Sequence, residues 1–356
     1  MGINKFNIRK SSILIFFVLV MMVNLSLTSI QSESLISYHD KLSDYGFFEG
    51  VIKEQKPAPH ILPYELNSPL FSDYAHKLRF IKVPTGSHVS YNADSVLQFP
   101  VGTAIIKTFF YYADERKPTK GRRLIETRVL LHEPKGWTSL PYIWNDDQTD
   151  ASLEVTGGNT PVSFRDMNGK IIKFDYTVPN MNQCKSCHER NGVMTPIGPS
   201  ARQLNGDHDY DGLKENQLVR WEKEGVLTGI PNDKERIPHL VNYADHTQSI
   251  QDRAHAYLDI NCAHCHNKSG QAQTSGLFLD WKTTDSTAYG FYKTPIAAGR
   301  GSGDLKVDIQ PGVPSQSILW YRMASTDPGV MMPELGRKLI HAEGVALISE
   351  WIKSMK

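Results

Sequence analysis

Ala104-Ile105-Ile106-Lys107-Thr108-Phe109-Phe110-Tyr111 and Leu124-Ile125-Glu126-Thr127-Arg128-Val129-Leu130-Leu131 are the two runs whose reading decides the fold. Residues branched at Cβ and aromatic residues fit a pleated, covered surface better than a helix. Both runs alternate in part, and Gly and Pro bound them, as in strands. Working outward, Leu78-Arg79-Phe80-Ile81-Lys82-Val83 precedes them with the same character. Ser163 to Tyr176 follows, with Asn168-Gly169 placed for a hairpin turn. Residues 35–178 therefore read as one β-rich domain, and the short strands with punctuating turns predict an antiparallel sandwich. Trp137, Tyr142 and Trp144 read as core aromatics, with a pocket wall as the alternative.

Beyond this domain lie the four cysteines of the chain, and all of them fall in two copies of one pattern. These are Cys184-Lys185-Ser186-Cys187-His188 and Cys262-Ala263-His264-Cys265-His266. C-x-x-C-H is the attachment signature of c-type haem: the thiols add across the two vinyl groups, and the next imidazole meets the iron. A thioredoxin-like C-x-x-C explains neither the duplication nor the trailing histidines. A zinc site built from the four thiols spans pairs 78 residues apart and gives no reason for His188 and His266. Two disulfides would suit an exported chain but not this spacing. The expectation is two covalently bound haem c groups.

The rest of the chain is then read around the two motifs. Residues 179–246 form a first haem module, in which Pro199 lies eleven residues past His188 and is expected, with its neighbours, to offer the carbonyl that accepts the imidazole Nδ1–H. Asn216 to Val226 reads as a short helix stopped at Gly225. Residues 247–356 form a second module, with a helix over Ile250 to Ile260 leading into Cys262 and an amphipathic terminal helix through Val345, Ile348 and Ile352. The predicted architecture is multidomain: a sandwich-like, mostly-β domain followed by two mainly α-helical, cytochrome c-like modules, the second of class I type.

A low-spin iron needs a distal donor, for which Met and His are the usual choices. In the second module Met332, 66 residues after His266 and followed by Pro333, ranks first, ahead of Met331 and Met323. The first module has no methionine between Met194 and Met323, so His208 ranks first and His239 second, ahead of His246 and His255. An open five-coordinate iron is the alternative there.

At the amino terminus, Lys5, Arg9 and Lys10 precede the apolar run from Ile13 to Val23, followed by polar Ser29 to Ser34. This is the order of an export signal, assigned to residues 1–34, and the run falls short of the about 20 residues of a spanning helix. The expected location is the periplasm or another exported compartment, with no stable membrane span after cleavage; an uncleaved anchor is the alternative. A formal charge of +1 gives no argument for a nucleic-acid partner. No hydrolase nucleophile motif, phosphate loop or H-E-x-x-H occurs between residues 35 and 178.

Several segments together resemble a group of exported bacterial dihaem c-type cytochromes with a β-rich amino-terminal domain. They are Phe71-Ser72-Asp73-Tyr74-Ala75, Phe99-Pro100-Val101-Gly102-Thr103, Glu126-Thr127-Arg128, Thr195 to Asn205 and Tyr257 to His266. The resemblance implies this architecture and supplies no substrate. The leading functional expectation is electron transfer between a dehydrogenase and a respiratory acceptor as redox partners. The alternatives are a haem-dependent oxidoreductase such as a peroxidase, an enzyme with a substrate pocket near Glu126, Arg128, Trp144 and Asp147, and a β domain that docks a partner.

Overall fold

The computed structural model describes residues 38–296 and 298–355; the export signal expected over residues 1–34 lies outside them. Residues 39–355 are described here as one unit. Its largest element is an antiparallel sheet of six strands in the order β1-β2-β4-β5-β6-β7. These strands are β1 (Ile61–Pro63), β2 (His76–Lys82), β4 (Ala104–Tyr112), β5 (Arg122–Glu133), β6 (Gly136–Trp144) and β7 (Ala151–Leu153), with the short β3 (Val89–Ser90) outside the sheet. The two opening runs of sequence are its central pair, β4 and β5, in the register Ile105↔Leu130, Lys107↔Arg128 and Phe109↔Glu126.

Alternation along these strands sends two sets of side chains to two faces. On one face Thr108 hydrogen-bonds Gln55 at 2.5 Å, Tyr142 donates to the His39 carbonyl at 2.8 Å, and Phe80 meets Phe48 edge-on, so the segment 39–60 covers it. The other face is covered in two places. At one end the hairpin β8 (Gly158–Arg165) and β9 (Ile171–Val178) lays Val162, Phe164 and Tyr176 over Phe109, Tyr111 and Ile125. At the other end Ile81, Ile105 and Leu130 share a core with Ala201, Leu204, Leu218 and Trp221. Between the two cores this face carries Arg79, Lys107 and Arg128, paired side by side across three strands.

The two mainly helical modules predicted from sequence are not seen, and this corrects the fold class. Among the described residues the molecule is mostly β, with one large antiparallel sheet, and every other sheet has only two strands. Among the described residues six α-helices occur: α1 (Met181–His188), α2 (Ala201–Leu204), α3 (Gln217–Lys223), α4 (Ile250–Asn261), α5 (Ile318–Met323) and α6 (Ala342–Ser354). Four of them are shorter than nine residues. The chain after Pro179 adds two-stranded ribbons instead: β10 (Glu189–Arg190) with β11 (Val193–Met194), β12 (Asp207–Tyr210) with β13 (Leu213–Asn216), and β14 (Leu227–Thr228), which pairs in parallel with β3. The region around the first cysteine motif is thus built onto the sheet and shares its core. The physical reason is composition: short apolar stretches separated by Gly and Pro cannot extend a helical stripe far enough to bury it.

The helices foreseen by periodicity are present where they are long enough to pack. α4 and α6 lie against one another, burying Ala254, Tyr257, Leu258, Leu347, Ile348 and Trp351 in one core. No helix among the described residues is long and apolar enough to cross a membrane.

Candidate functional site

The first cysteine motif is placed by α1. Asn180 caps this helix, accepting from the Gln183 N–H while the Gln183 side chain accepts from the Asn180 N–H. Positions three and four apart share a helix face, so Cys184, Cys187 and His188 point the same way. The chain then reverses at once. Asn191 (φ 50°) and Gly192 (φ 78°) form the two-residue loop between β10 and β11, and left-handed backbone at both positions suits a tight hairpin. The reversal brings Thr195 back to His188: its N–H donates to the His188 carbonyl at 2.7 Å, and its own carbonyl accepts from His188 Nδ1 at 2.9 Å. The expected acceptor was the carbonyl of Pro199, but that oxygen accepts from Leu97 N–H at 3.0 Å. The hairpin supplies a carbonyl before the chain reaches Pro199.

The second motif follows the end of α4. The helical turn continues far enough for the His266 N–H to donate to the Cys262 carbonyl at 2.9 Å. His266 Nδ1 donates to the Leu277 carbonyl at 3.3 Å, and Leu279 N–H returns a bond to the His266 carbonyl at 2.8 Å. Both imidazoles therefore hold a proton on Nδ1 and keep the Nε2 lone pair free, the tautomer a metal-ligating histidine needs. Burial pushes the His188 pKa down to about 3 and that of His266 to about 4, so both rings are neutral.

The two motifs converge. Cys184, Cys187, His188, Cys262, Cys265 and His266 all line one cavity of about 600 Å³, within the size range of cofactor sites. Ligand atoms of Cys187, His264 and Cys265 lie within 4.8 Å of one another, so the two motifs meet at their second cysteines. A backbone bond from Asn191 N–H to the Ser269 carbonyl, 2.8 Å, ties the hairpin of the first to the loop of the second. The hydrogen bond between the Cys187 and Cys265 thiols pulls the Cys187 pKa down and pushes that of Cys265 up. Burial raises the Cys262 thiol to about 12. His264 is buried, and its Nδ1 has no hydrogen-bond partner among the described residues.

Of the other residues expected at the site, Met332 lines the cavity, as does Met323 on α5. Met331 is buried but is not among the lining residues. His208 and His239 are not among them either. His208 stacks edge-on against Tyr210 on β12, and His239 Nδ1 donates to the Asn205 carbonyl at 2.6 Å. Trp144 is a core residue that donates to Thr127 Oγ1 at 3.0 Å, and Asp147 is exposed in a turn.

The cavity is also lined by residues not singled out from sequence, among them His341, Lys107 and His264. His341 stacks on Phe71, with ring centroids 4.2 Å apart, and its Nδ1 lies 3.1 Å from the Tyr257 hydroxyl. Of these three, only His264, a second histidine inside a C-x-x-C-H motif, carried a local signal. Arg128, singled out with Glu126, lines the cavity and is bound by that carboxylate at 2.9 and 2.5 Å.

The donor set fits haem c: four thiols in two C-x-x-C-H turns, two free imidazole nitrogens and two thioethers around one cavity. In comparisons with family models, with curated proteins and with solved structures, nothing matches this chain.

Proposed function

We propose that this chain is a dihaem c-type cytochrome that carries electrons outside the cytoplasm between a donor dehydrogenase and a respiratory acceptor. One observation carries the reading: both C-x-x-C-H motifs open onto the same cavity, each with its histidine Nδ1 tied to a backbone carbonyl and its Nε2 free. Bound haem would supply a reversible one-electron couple at each iron. Cys184 with Cys187, and Cys262 with Cys265, would hold the two porphyrins. His188 and His266 would give the proximal nitrogens, kept in one tautomer by Thr195 and Leu277. Met332 would be the thioether donor to the second group; Met331, ranked after it, does not line the cavity, and Met323 does. His208 and His239 do not enter this reading, because neither lines the cavity; His264 and His341 do. The approach of Cys187 to Cys265 sets the two attachment points side by side, which suits exchange of electrons between the groups.

The test is pyridine haemochrome analysis and intact mass of the exported, purified protein, followed by ferric and ferrous spectra with carbon monoxide and hydrogen peroxide. Two covalent haems that stay low-spin and ignore both ligands support an electron carrier. One high-spin haem that binds either ligand moves the reading to a peroxidase or related oxidoreductase.

A second reading rests on the cluster of Cys187, His264 and Cys265, whose donors could hold a single metal ion such as zinc. It leaves Cys184, Cys262 and both Nε2 lone pairs unused. Elemental analysis showing stoichiometric zinc and no haem would replace the first reading with this one.

A further inference from the structure

The row of cations on the sheet is not explained by attachment of haem through cysteine. Arg79 on β2, Lys107 on β4 and Arg128 on β5 stand opposite one another in register, on the face turned to the cavity. Lys77 is two residues from Arg79 and so shares that face. Three of these heads surround one ring: the Phe109 centroid is 5.9 Å from Lys77 Nζ, 5.2 Å from Lys107 Nζ and 4.5 Å from Arg128 Cζ. Four like charges gathered on a covered face repel one another unless anions compensate.

The two arginines have their own carboxylates. Arg79 pairs with Glu65 at 2.9 Å, and Arg128 is held by Glu126. Lys77 donates to the Leu70 carbonyl at 2.9 Å. The carboxylate of Asp73, the remaining acid near Lys77, is occupied by the N–H groups of Lys338 and Leu339 at 2.7 to 2.9 Å. Lys107 has no hydrogen bond or ion pair among the described residues beyond its approach to Phe109. Its pKa is pushed down to about 7, first by burial and then by the charges of Arg128 and Arg79. Lys107 and Arg128 line the cavity that the two motifs share.

We propose that Lys107, with Arg128 beside it, binds a carboxylate inside this cavity. Two sources share that chemistry: a propionate of a haem attached at one of the cysteine motifs, or a small free carboxylate taken up next to the haems. The first source rests on the dihaem reading; the patch itself does not. It gives the β-sheet a part in the site, as the cationic wall of the chamber.

The test compares full-length exported protein carrying Lys107, Lys107→Met or Lys107→Arg. Where Lys107→Met fails to accumulate, Lys107→Gln makes the same comparison. Haem content is measured first, then midpoint potentials by spectroelectrochemical titration, then spectra and melting temperature with added sodium formate. A cation near an iron disfavours the ferric state, so its loss lowers the potential. If a propionate fills the patch, one midpoint falls in Lys107→Met and recovers in Lys107→Arg, and formate changes nothing in the wild type. If a free carboxylate fills it, formate shifts the spectrum or raises the melting temperature of the wild type, and its affinity drops at least tenfold in Lys107→Met. Equal midpoints and equal indifference to formate in all variants overturn the proposal. A wild type without haem overturns the dihaem reading alone, and formate stabilisation then decides the patch.

Discussion

Glu126→Gln is the substitution whose effect follows most directly from the packing around the cavity. Glu126 is 0 % exposed, and its carboxylate accepts two bonds from Arg128, at 2.9 and 2.5 Å, and one from the Tyr176 hydroxyl at 2.5 Å. Arg128 is itself only 17 % exposed, so little water can replace a lost partner. Glutamine keeps the volume but removes the charge, and its amide hydrogens must face either the guanidinium or the hydroxyl. Breaking one side of a buried ion pair typically costs about 3–5 kcal/mol, and the retained oxygen argues for the lower end, about 3 kcal/mol. At about 2 °C per kcal/mol for a chain of this size, the melting temperature should fall by roughly 6 °C. Thermal and urea unfolding followed by far-ultraviolet circular dichroism measure both quantities. The double variant Glu126→Gln/Arg128→Met removes the stranded charge as well and should regain most of the loss. A single variant losing under about 1 kcal/mol, or a double variant as unstable as the single, refutes the reasoning.

Three further outcomes are expected. Gly344→Ala places a methyl group against the Tyr257 ring and hydroxyl where α6 crosses α4, so overpacking of about 1–3 kcal/mol should outweigh the gain of about 1 kcal/mol in helix propensity; a melting curve at or above that of the parent contradicts this. Gly192→Ala meets no side chain but must adopt φ 78°, at a cost of about 1–2 kcal/mol, and should loosen the reversal that returns Thr195 to His188; urea unfolding reads the loss, and an unchanged midpoint argues against a strained turn. On the dihaem reading, Met332→Ala should lower one reduction potential and leave the other in place, whereas Met323→Ala, in the α4–α6 core, should reduce stability by about 2–5 kcal/mol; redox titration and thermal melts separate the two.

How far the sequence could be read depended on whether a feature was local. The central strands were legible because β4 and β5 are long and apolar, and α4 and α6 because each repeats its apolar positions over three turns. The short helix read over Asn216 to Val226 is present as α3 (Gln217–Lys223), but the two helical modules predicted around the cysteine motifs are not seen. Between Glu189 and Tyr243 the chain relies on contacts with the β-rich part of the chain, such as Leu227 beside Val89 and Trp221 beside Tyr64, and no local period reveals such pairing. The Thr195 acceptor could have been found: Asn191-Gly192 three residues after His188 is a hairpin signal, and a hairpin there must return the chain to the histidine. His341 could not, because only the tertiary fold brings Phe71 and Tyr257 around it.

The cationic row lies between these cases. A lysine at position 107 between Ile106 and Thr108, an arginine at 128 before Val129, and an arginine at 79 before Phe80 each put a charge inside a strand. Singly, each reads as an edge or solvent-facing position. The register turns three exceptions into one, since all three stand at the same level of adjacent strands, on the face covered by the two cores. A sheet selected only to fold would place valine or isoleucine there, with no charge to bury and no carboxylates needed at Glu65 and Glu126. On the opposite face the cations sit at strand ends, Lys82 over Phe47 and Arg122 over Phe110, whereas Lys107 and Arg128 stand mid-strand on the side where the cysteine motifs open. Charge placed mid-strand on that side, at a level set by strand pairing, is the pattern expected of a wall that meets an anion.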